Sequence, residues 1–464
     1  MKAKLICLVA LTASLRLATA SSSDGEFVAH EWGTFTSVHG ADGIQLVWNP
    51  LIGTDLPAFV YNRNIRQGGF GPGLRFLDGL TKSAMPTLVR METPVIYFYS
   101  EKERTVDVTV NFKGGRITEW YPQATRVGPY QTTNDAEWLS ATRSFIEWSG
   151  LKILPRDTRE ISAEKLIREK GESHYYAARE TDANFLRMAS PHARSAVEYD
   201  RDLFYRGVGS FQAPLTVSLQ ADENHLQLST KNREPLTDLF VLTIRKGMAR
   251  YQLIDRVAAT KDRTVSLESG AFAPLSEVQG KLMAEMKSAL VKQGLYLREA
   301  QAMVDTWKNQ WFAEEGVRVL YLLPAKWTDD TLPLSIHPKP HEMVRVMVGR
   351  AELITPSMEW ELNKQVVLFS TGHEPAKQQA IAEVRKLGLG RFMEPATRKI
   401  LGRLPARDFS QAAWKLAQEA SKETGRDTPA VVETDEPAWP TGKSLKKTAA
   451  APSQFSPLAL NTGN

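Results

Sequence analysis

Apolar and polar residues alternate with a period of two through much of the first half of the chain. Val106, Val108, Val110 and Phe112 interleave with Thr105, Asp107, Thr109 and Asn111, which is the pattern of a strand with one buried face. Gly114-Gly115 follows, and residues 116–121 continue extended up to Pro122. That spacing predicts a hairpin closed by a glycine turn. Leu215, Val217 and Leu219 repeat the alternation, residues 221–224 supply a polar turn, and Leu226 and Leu228 return. A further strand pair is expected over 239–244 and 250–257. One wet face per strand favours antiparallel, sandwich-like sheets over a parallel α/β core.

The period changes after residue 275. Val278, Leu282, Met286 and Leu290 recur every four residues, and Gly294 stands where a helix ends. Leu297, Ala300, Val304, Trp307 and Trp311 mark a second amphipathic helix. The two read as a helical hairpin laid on a sheet. Strands are expected again at 317–323 and 344–355, separated by a loop holding Pro333, Pro338 and Pro340. Residues 374–423 read as helical, broken at Pro395 and Pro405. The fold class that follows is α+β and β-rich, with antiparallel sandwich-like sheets, a helical hairpin layer and a C-terminal helical segment. Its expected divisions are a β-rich region at 21–270, the hairpin plus returning strands at 271–360, helices at 361–425 and a disordered tail at 426–464. That tail is rich in Thr, Pro, Ala, Ser and Lys, too polar to offset its ordering entropy.

The first twenty residues differ from all of this. Lys2 and Lys4 precede an apolar run at 5–17, and Ala18-Thr19-Ala20 ends it with small residues. A bilayer span needs about 20 apolar residues, so the pattern predicts a secretory signal cleaved near Ser21 rather than a membrane span. The expected location is periplasmic or extracellular. Cys7, the single cysteine, lies inside this segment, so the mature chain is expected to hold no disulfide and no thiolate chemistry. The segment also carries Lys2, Lys4 and Arg16 but no acid, and its removal leaves 55 basic against 53 acidic residues. A charge so evenly balanced gives no electrostatic case for nucleic acid.

At Thr93-Pro94-Val95-Ile96-Tyr97-Phe98-Tyr99 the chain resembles a "KPVIYLYP" signature found in uncharacterised exported bacterial proteins. Ser100-Glu101-Lys102-Glu103, the Val106–Phe112 alternation, Gly114-Gly115 and Tyr121-Pro122 follow in that family's order. A second similar block runs from Trp307 through residues 332–340 to 344–348. Thr93 replaces the signature's lysine and Ser100 its final proline, so no role for that lysine carries over. The resemblance implies export and a β-rich fold and assigns no activity.

Candidate chemistry is sparse. His30-Glu31 and His341-Glu342 begin like zinc helices, but Thr34 and Arg345 stand where the second histidine belongs. No metal or cofactor is expected. No Gly-x-Ser-x-Gly elbow occurs, Ser162-Ala163-Glu164-Lys165 lacks partner motifs, and the glycine run at 68–73 lacks phosphate-loop spacing. Acids beside aromatic rings remain, a combination used by sugar sites. They nominate Glu31, Glu92, Glu119, Glu180 and Asp182 as candidate carboxylates. His30, Trp32, Trp120, Tyr121, Tyr175, Arg179, Tyr205 and Arg206 are the candidate ligand-binding residues. Structural ion pairs involving Arg179 and Arg206 explain the same residues without a site. The leading expectation is a non-enzymatic exported module binding a glycan or envelope component. A secreted glycosidase-like hydrolase and a structural assembly protein are the alternatives.

Overall fold

The structure is a computed structural model that describes residues 26–49, 56–62, 87–128, 143–156, 158, 166–168, 173–189, 197–402 and 407–422. The signal segment, the glycine run, the Ser162–Lys165 stretch, Pro405 and the tail lie outside the described residues. All described residues belong to one packing unit, Met1–Ala430, and the second unit, Val431–Asn464, also lies outside them.

Strands run in chain order as β1 (Phe27–Gly40), β2 (Tyr61–Asn62), β3 (Val89–Ser100), β4 (Arg104–Lys113), β5 (Gly115–Tyr121), β6 (Arg126–Gly128) and β7 (Arg143–Ile153). Next come β8 (Leu186–Ala189), β9 (Val197–Asp200), β10 (Leu203–Gly209), β11 (Leu215–Leu219), β12 (His225–Thr230), β13 (Leu236–Arg245) and β14 (Met248–Val257). β15 (Asp262–Ser266), β16 (Ala273–Pro274), β17 (Gly316–Leu322), β18 (Leu334–His337) and β19 (Glu342–Ile354) complete the set. The helices are α1 (Leu275–Lys292), α2 (Leu297–Phe312), α3 (Ala325–Thr331), α4 (Pro356–Thr371), α5 (Glu374–Arg385), α6 (Met393–Leu401) and α7 (Arg407–Ser421).

A ten-stranded sheet in the order β16-β14-β13-β17-β19-β1-β3-β10-β5-β2 carries the fold. Smaller sheets, β11-β12-β15 and β18-β4-β7-β8-β9 with β6 beside β7, lie apart from it. Every residue of β1 is buried. Phe27, Ala29 and Phe35 of β1 join the core shared with the smaller sheets, to which Val108, Ile146, Val217 and Leu228 contribute. Val28 and Trp32 face the other way, into a core shared with Leu282, Met286, Trp307 and Trp311 of α1 and α2. Farther along the same face, Val38 packs with Leu362, Ile381 and Leu416 of the C-terminal helices. The large sheet is thus covered on both faces, and the alternation of period two decides which core each side chain enters.

The α+β, β-rich class stands, and the β11–β12 and β13–β14 hairpins and the α1–α2 pair fall where the periodicity puts them. Four details differ. The glycine hairpin does not form: β4 pairs with β7 and β18, whereas β5 pairs with β10 and β2. Gly114, at φ +79°, turns the chain from one sheet into the other, a corner that a local pattern cannot tell from a hairpin turn. The sheets are not wholly antiparallel, because β1 and β19 run parallel. The helical segment opens at Pro356 rather than 361, with Pro356 in the first turn and the Thr355 hydroxyl accepting from Met358 N–H. Pro395 does not break a helix but sits in the first turn of α6, where its missing N–H costs nothing.

The contact between sheet and C-terminal helices is ionic as well as apolar. Glu92 on β3 accepts from the Thr36 hydroxyl at 2.5 Å, and its two carboxylate oxygens accept from Arg391 Nη1 at 3.0 and 3.1 Å. Arg391 lies in the 3-10 turn Gly390–Phe392 that precedes α6. Burial raises the Glu92 pKa, but Arg391 and Arg90 outweigh it and bring the group down to about 2 from 4.5. The folded state favours the ionised carboxyl, so this stabilisation is complete above pH 4.5 and fades as pH falls toward 2. E92Q is expected to flatten stability against pH over that window, measured by urea unfolding. An unchanged acid limb would contradict the assignment.

Candidate functional site

The thirteen candidate residues separate into two groups. The first is buried in the sheet and spent on structure. Glu31 accepts from the Tyr205 hydroxyl at 2.5 Å and from Arg345 Nε at 2.7 Å, and Arg345 also reaches Asp329 at 2.7 Å. Glu119 accepts from Arg206 at 3.0 and 3.3 Å and from the Thr118 hydroxyl. Glu92 is held by Arg391. The His30 Nδ1 lies 2.7 Å from Glu299 Oε2 on α2, and Tyr99 donates to the other oxygen of Glu299 at 2.6 Å. Trp32 packs on Tyr97, and Trp120 lies in the core beside the smaller sheets. These candidate residues sit on β1, β3, β5 and β10, and all are buried.

The second group converges beside the 3-10 turn His174–Arg179. That turn is fixed from below. Tyr97 donates to Ala178 O at 2.6 Å, and Tyr175 and His174 set their rings against Trp307 of α2 at 6.2 and 5.7 Å. The segment after it is fixed by Asn184, whose amide donates to Ser100 O at 2.7 Å and Leu154 O at 2.6 Å and accepts from Ser100 N–H at 3.1 Å. Side chains between these anchors are therefore presented on rigid backbone.

Arg179 divides two hollows. On its inner side lies a cavity of about 40 Å³ walled by Phe59, Tyr121, Tyr175 and Phe204. The Thr93 and Tyr121 hydroxyls are buried there with no hydrogen-bond partner among the described residues. A water needs roughly 10–15 Å³ by the same measure, so the cavity admits one or a few waters and excludes a sugar ring. Asp200 and Asp202 also line it. Arg179 grips both oxygens of Asp200 through its Nε and Nη2, at 2.9 and 2.5 Å. Burial, and next the neighbouring Asp200, push Asp202 well above the usual carboxylate range. Burial raises Asp200 as well, but the bidentate arginine favours its ionised form, so of the two acids Asp202 is the one that favours the proton.

On the outer side of Arg179 lies a cleft of about 310 Å³. Glu180 and Asp182 line it, each matched by an arginine: Arg168 to Glu180 at 3.1 Å and Arg298 to Asp182 at 2.6 Å. Tyr176 is flanked by the guanidinium groups of Arg179 and Arg168, at 5.3 and 5.4 Å. Of the candidate residues, Tyr121, Tyr175 and Arg179 thus meet at the cavity, and Arg179, Glu180 and Asp182 at the cleft. Asp200, Asp202, Arg156, Arg168, Arg201 and Arg298 complete the two sites and were not among the sequence candidates. The tripeptide Asp200-Arg201-Asp202 was the one local signal, an arginine between two acids just before a strand. No group of three or more potential metal-ligating side chains occurs among the described residues.

No protein-family model matches the sequence, and no curated protein matches it. Among solved structures, the yeast delta-COP-I mu-homology domain complexed with Dsl1 WxWxV peptide aligns over 71% of this chain and 98% of its own, at 7% identity and a TM-score of 0.25. The same yeast domain without the peptide gives 7% identity, the same coverage and a TM-score of 0.24. The exo-chitosanase CsxA of Amycolatopsis orientalis aligns over 71% of this chain and 43% of its own, at 10% identity and a TM-score of 0.11. At such scores none of these establishes a common fold.

The acid pair gives a sharp contrast. The raised Asp202 pKa means that stability present below pH 3.8 is lost as pH rises above it. D202N, which mimics the protonated acid, is expected to match or exceed the parent's stability at pH 7. D200N leaves Arg179 buried without a counter-charge and is expected to cost about 3–5 kcal/mol. Equal losses in the two variants, read from chemical denaturation, would overturn the assignment of the proton to Asp202.

Proposed function

We propose that the protein is an exported, non-enzymatic module that binds a glycan or another envelope component in the cleft bordered by Arg179, Glu180 and Asp182. The observation that carries this reading is the contrast in size and polarity between the two hollows. The cleft, at about 310 Å³, is large enough for a polar ligand, whereas the cavity behind Arg179 holds only about 40 Å³. Solvent-exposed acid–arginine pairs at its rim provide hydrogen-bonding groups of both signs for such a ligand. Export rests on the leader at residues 1–20 and on the resemblance to exported proteins. No helix among the described residues is long and apolar enough to cross a membrane.

A glycosidase needs two carboxyls facing each other across the bond, about 5–5.5 Å apart for retention or 6.5–9.5 Å for inversion. The only acids among the described cleft residues, Glu180 and Asp182, come from one short segment, and each is ion-paired. That favours binding over hydrolysis.

Two measurements check the reading. N-terminal sequencing of the protein recovered from the periplasm or medium is expected to begin near Ser21, and an intact leader on a cytoplasmic product would remove the export argument. A glycan array and an envelope-polymer pull-down with the mature protein are expected to give binding that the D182N and R298Q variants weaken. No binding above background to any member would refute the proposal.

A further inference from the structure

The charges of the cleft do not balance. Its described walls hold five arginines, at 156, 168, 179, 201 and 298, against the two acids Glu180 and Asp182. Three of these arginines are neutralised: Arg168 by Glu180, Arg298 by Asp182 and Arg179 by Asp200. Arg201 forms no ion pair among the described residues. Its guanidinium donates to Ala183 O at 2.6 Å and lies 4.1 Å from the centre of the Phe185 ring. Those two contacts fix its plane, and Glu180, Asp182 and Asp200 offset part of its charge from beyond ion-pair distance. Arg156 likewise has no hydrogen bond or ion pair to a described residue. Burial, and next the charge of Arg298, push the Arg201 pKa below its ordinary value, so the site pays for keeping these cations close together.

We infer that the cleft is built to take an oxyanion, a phosphate or carboxylate group on the ligand, held between Arg156 and Arg201. The inference rests on the binding role proposed above and narrows it to acidic ligands. A guanidinium presents two parallel N–H donors that match the oxygens of a carboxylate or phosphate. Arg201 is already oriented by Phe185 and Ala183, so little rotamer freedom is lost when an anion docks. Glu180 and Asp182, held by their own arginines, repel an anion that approaches from their side. A neutral sugar would gain less than an anion from these guanidinium groups.

The test is calorimetric titration of the mature protein at low ionic strength with three separate probes: inorganic phosphate, citrate and a neutral oligosaccharide. At least one anion is expected to bind, with affinity falling as sodium chloride is added. The phosphate and citrate arms show which oxyanion the cleft prefers. R156Q and R201Q are each expected to weaken anion binding at least about tenfold, and R201K to retain part of the R201Q loss. Thermal melting of the variants separates lost binding from lost fold, and R201K supplies the reading if R201Q does not fold. Failure of both anions to bind, or unchanged affinity in R156Q and R201Q, overturns the inference. If the neutral oligosaccharide binds in a way that D182N weakens and R201Q does not, the oxyanion inference falls while the binding role stands. If nothing binds here and the array is also blank, both fall.

Discussion

Buried carboxylates matched by arginines from distant strands and turns are the constraint on which this fold depends. Glu31 with Arg345, Glu92 with Arg391, and Glu119 with Arg206 each lie inside the large sheet or under its helical cover. Glu352 adds a fourth, shared between Arg318 and Arg350. An ionised group in such surroundings is costly unless its partner arrives with good geometry. Each pair therefore penalises any arrangement in which its two strands, or strand and helix, fail to meet. Apolar burial drives the sheet together, and the ion pairs select which neighbours it accepts.

The pairing also explains why most acid–aromatic neighbours in the sequence are not a site. On a strand, consecutive residues point to opposite faces. Glu119 meets Arg206 while Trp120 enters the core beside the smaller sheets, and Glu31 meets Arg345 while Trp32 packs toward the helices. Adjacency along the chain thus separates an acid from its ring by the thickness of the sheet. In the turn and loop at 174–184, outside the strands, acids and rings share a surface.

How much could be read in advance follows from range. Hairpins such as β11–β12 and the α1–α2 pair are local, and periodicity of two or four found them. The switch at Gly114 is equally local in sequence but is decided by β7 and β10, which claim β4 and β5 for different sheets. The cleft was half legible: Arg179, Glu180 and Asp182 lie close together in sequence, whereas Arg156, Arg201 and Arg298 reach it from separate segments. Nothing in a window of a dozen residues carries that convergence.

The parallel pairing of β1 with β19 has a consequence for how the molecule comes into being. Glu31 and Arg345 are 314 positions apart, yet they close the middle of the main sheet. The first strand to emerge must wait, with its unpaired edge and apolar side chains exposed, until β19, which ends at Ile354 of 464 residues, has followed. Closing loops of that length is slow, and waiting edges invite intermolecular pairing. In a polypeptide of this design the leading strand gains its central partner late, and its waiting edge is where misassembly would start.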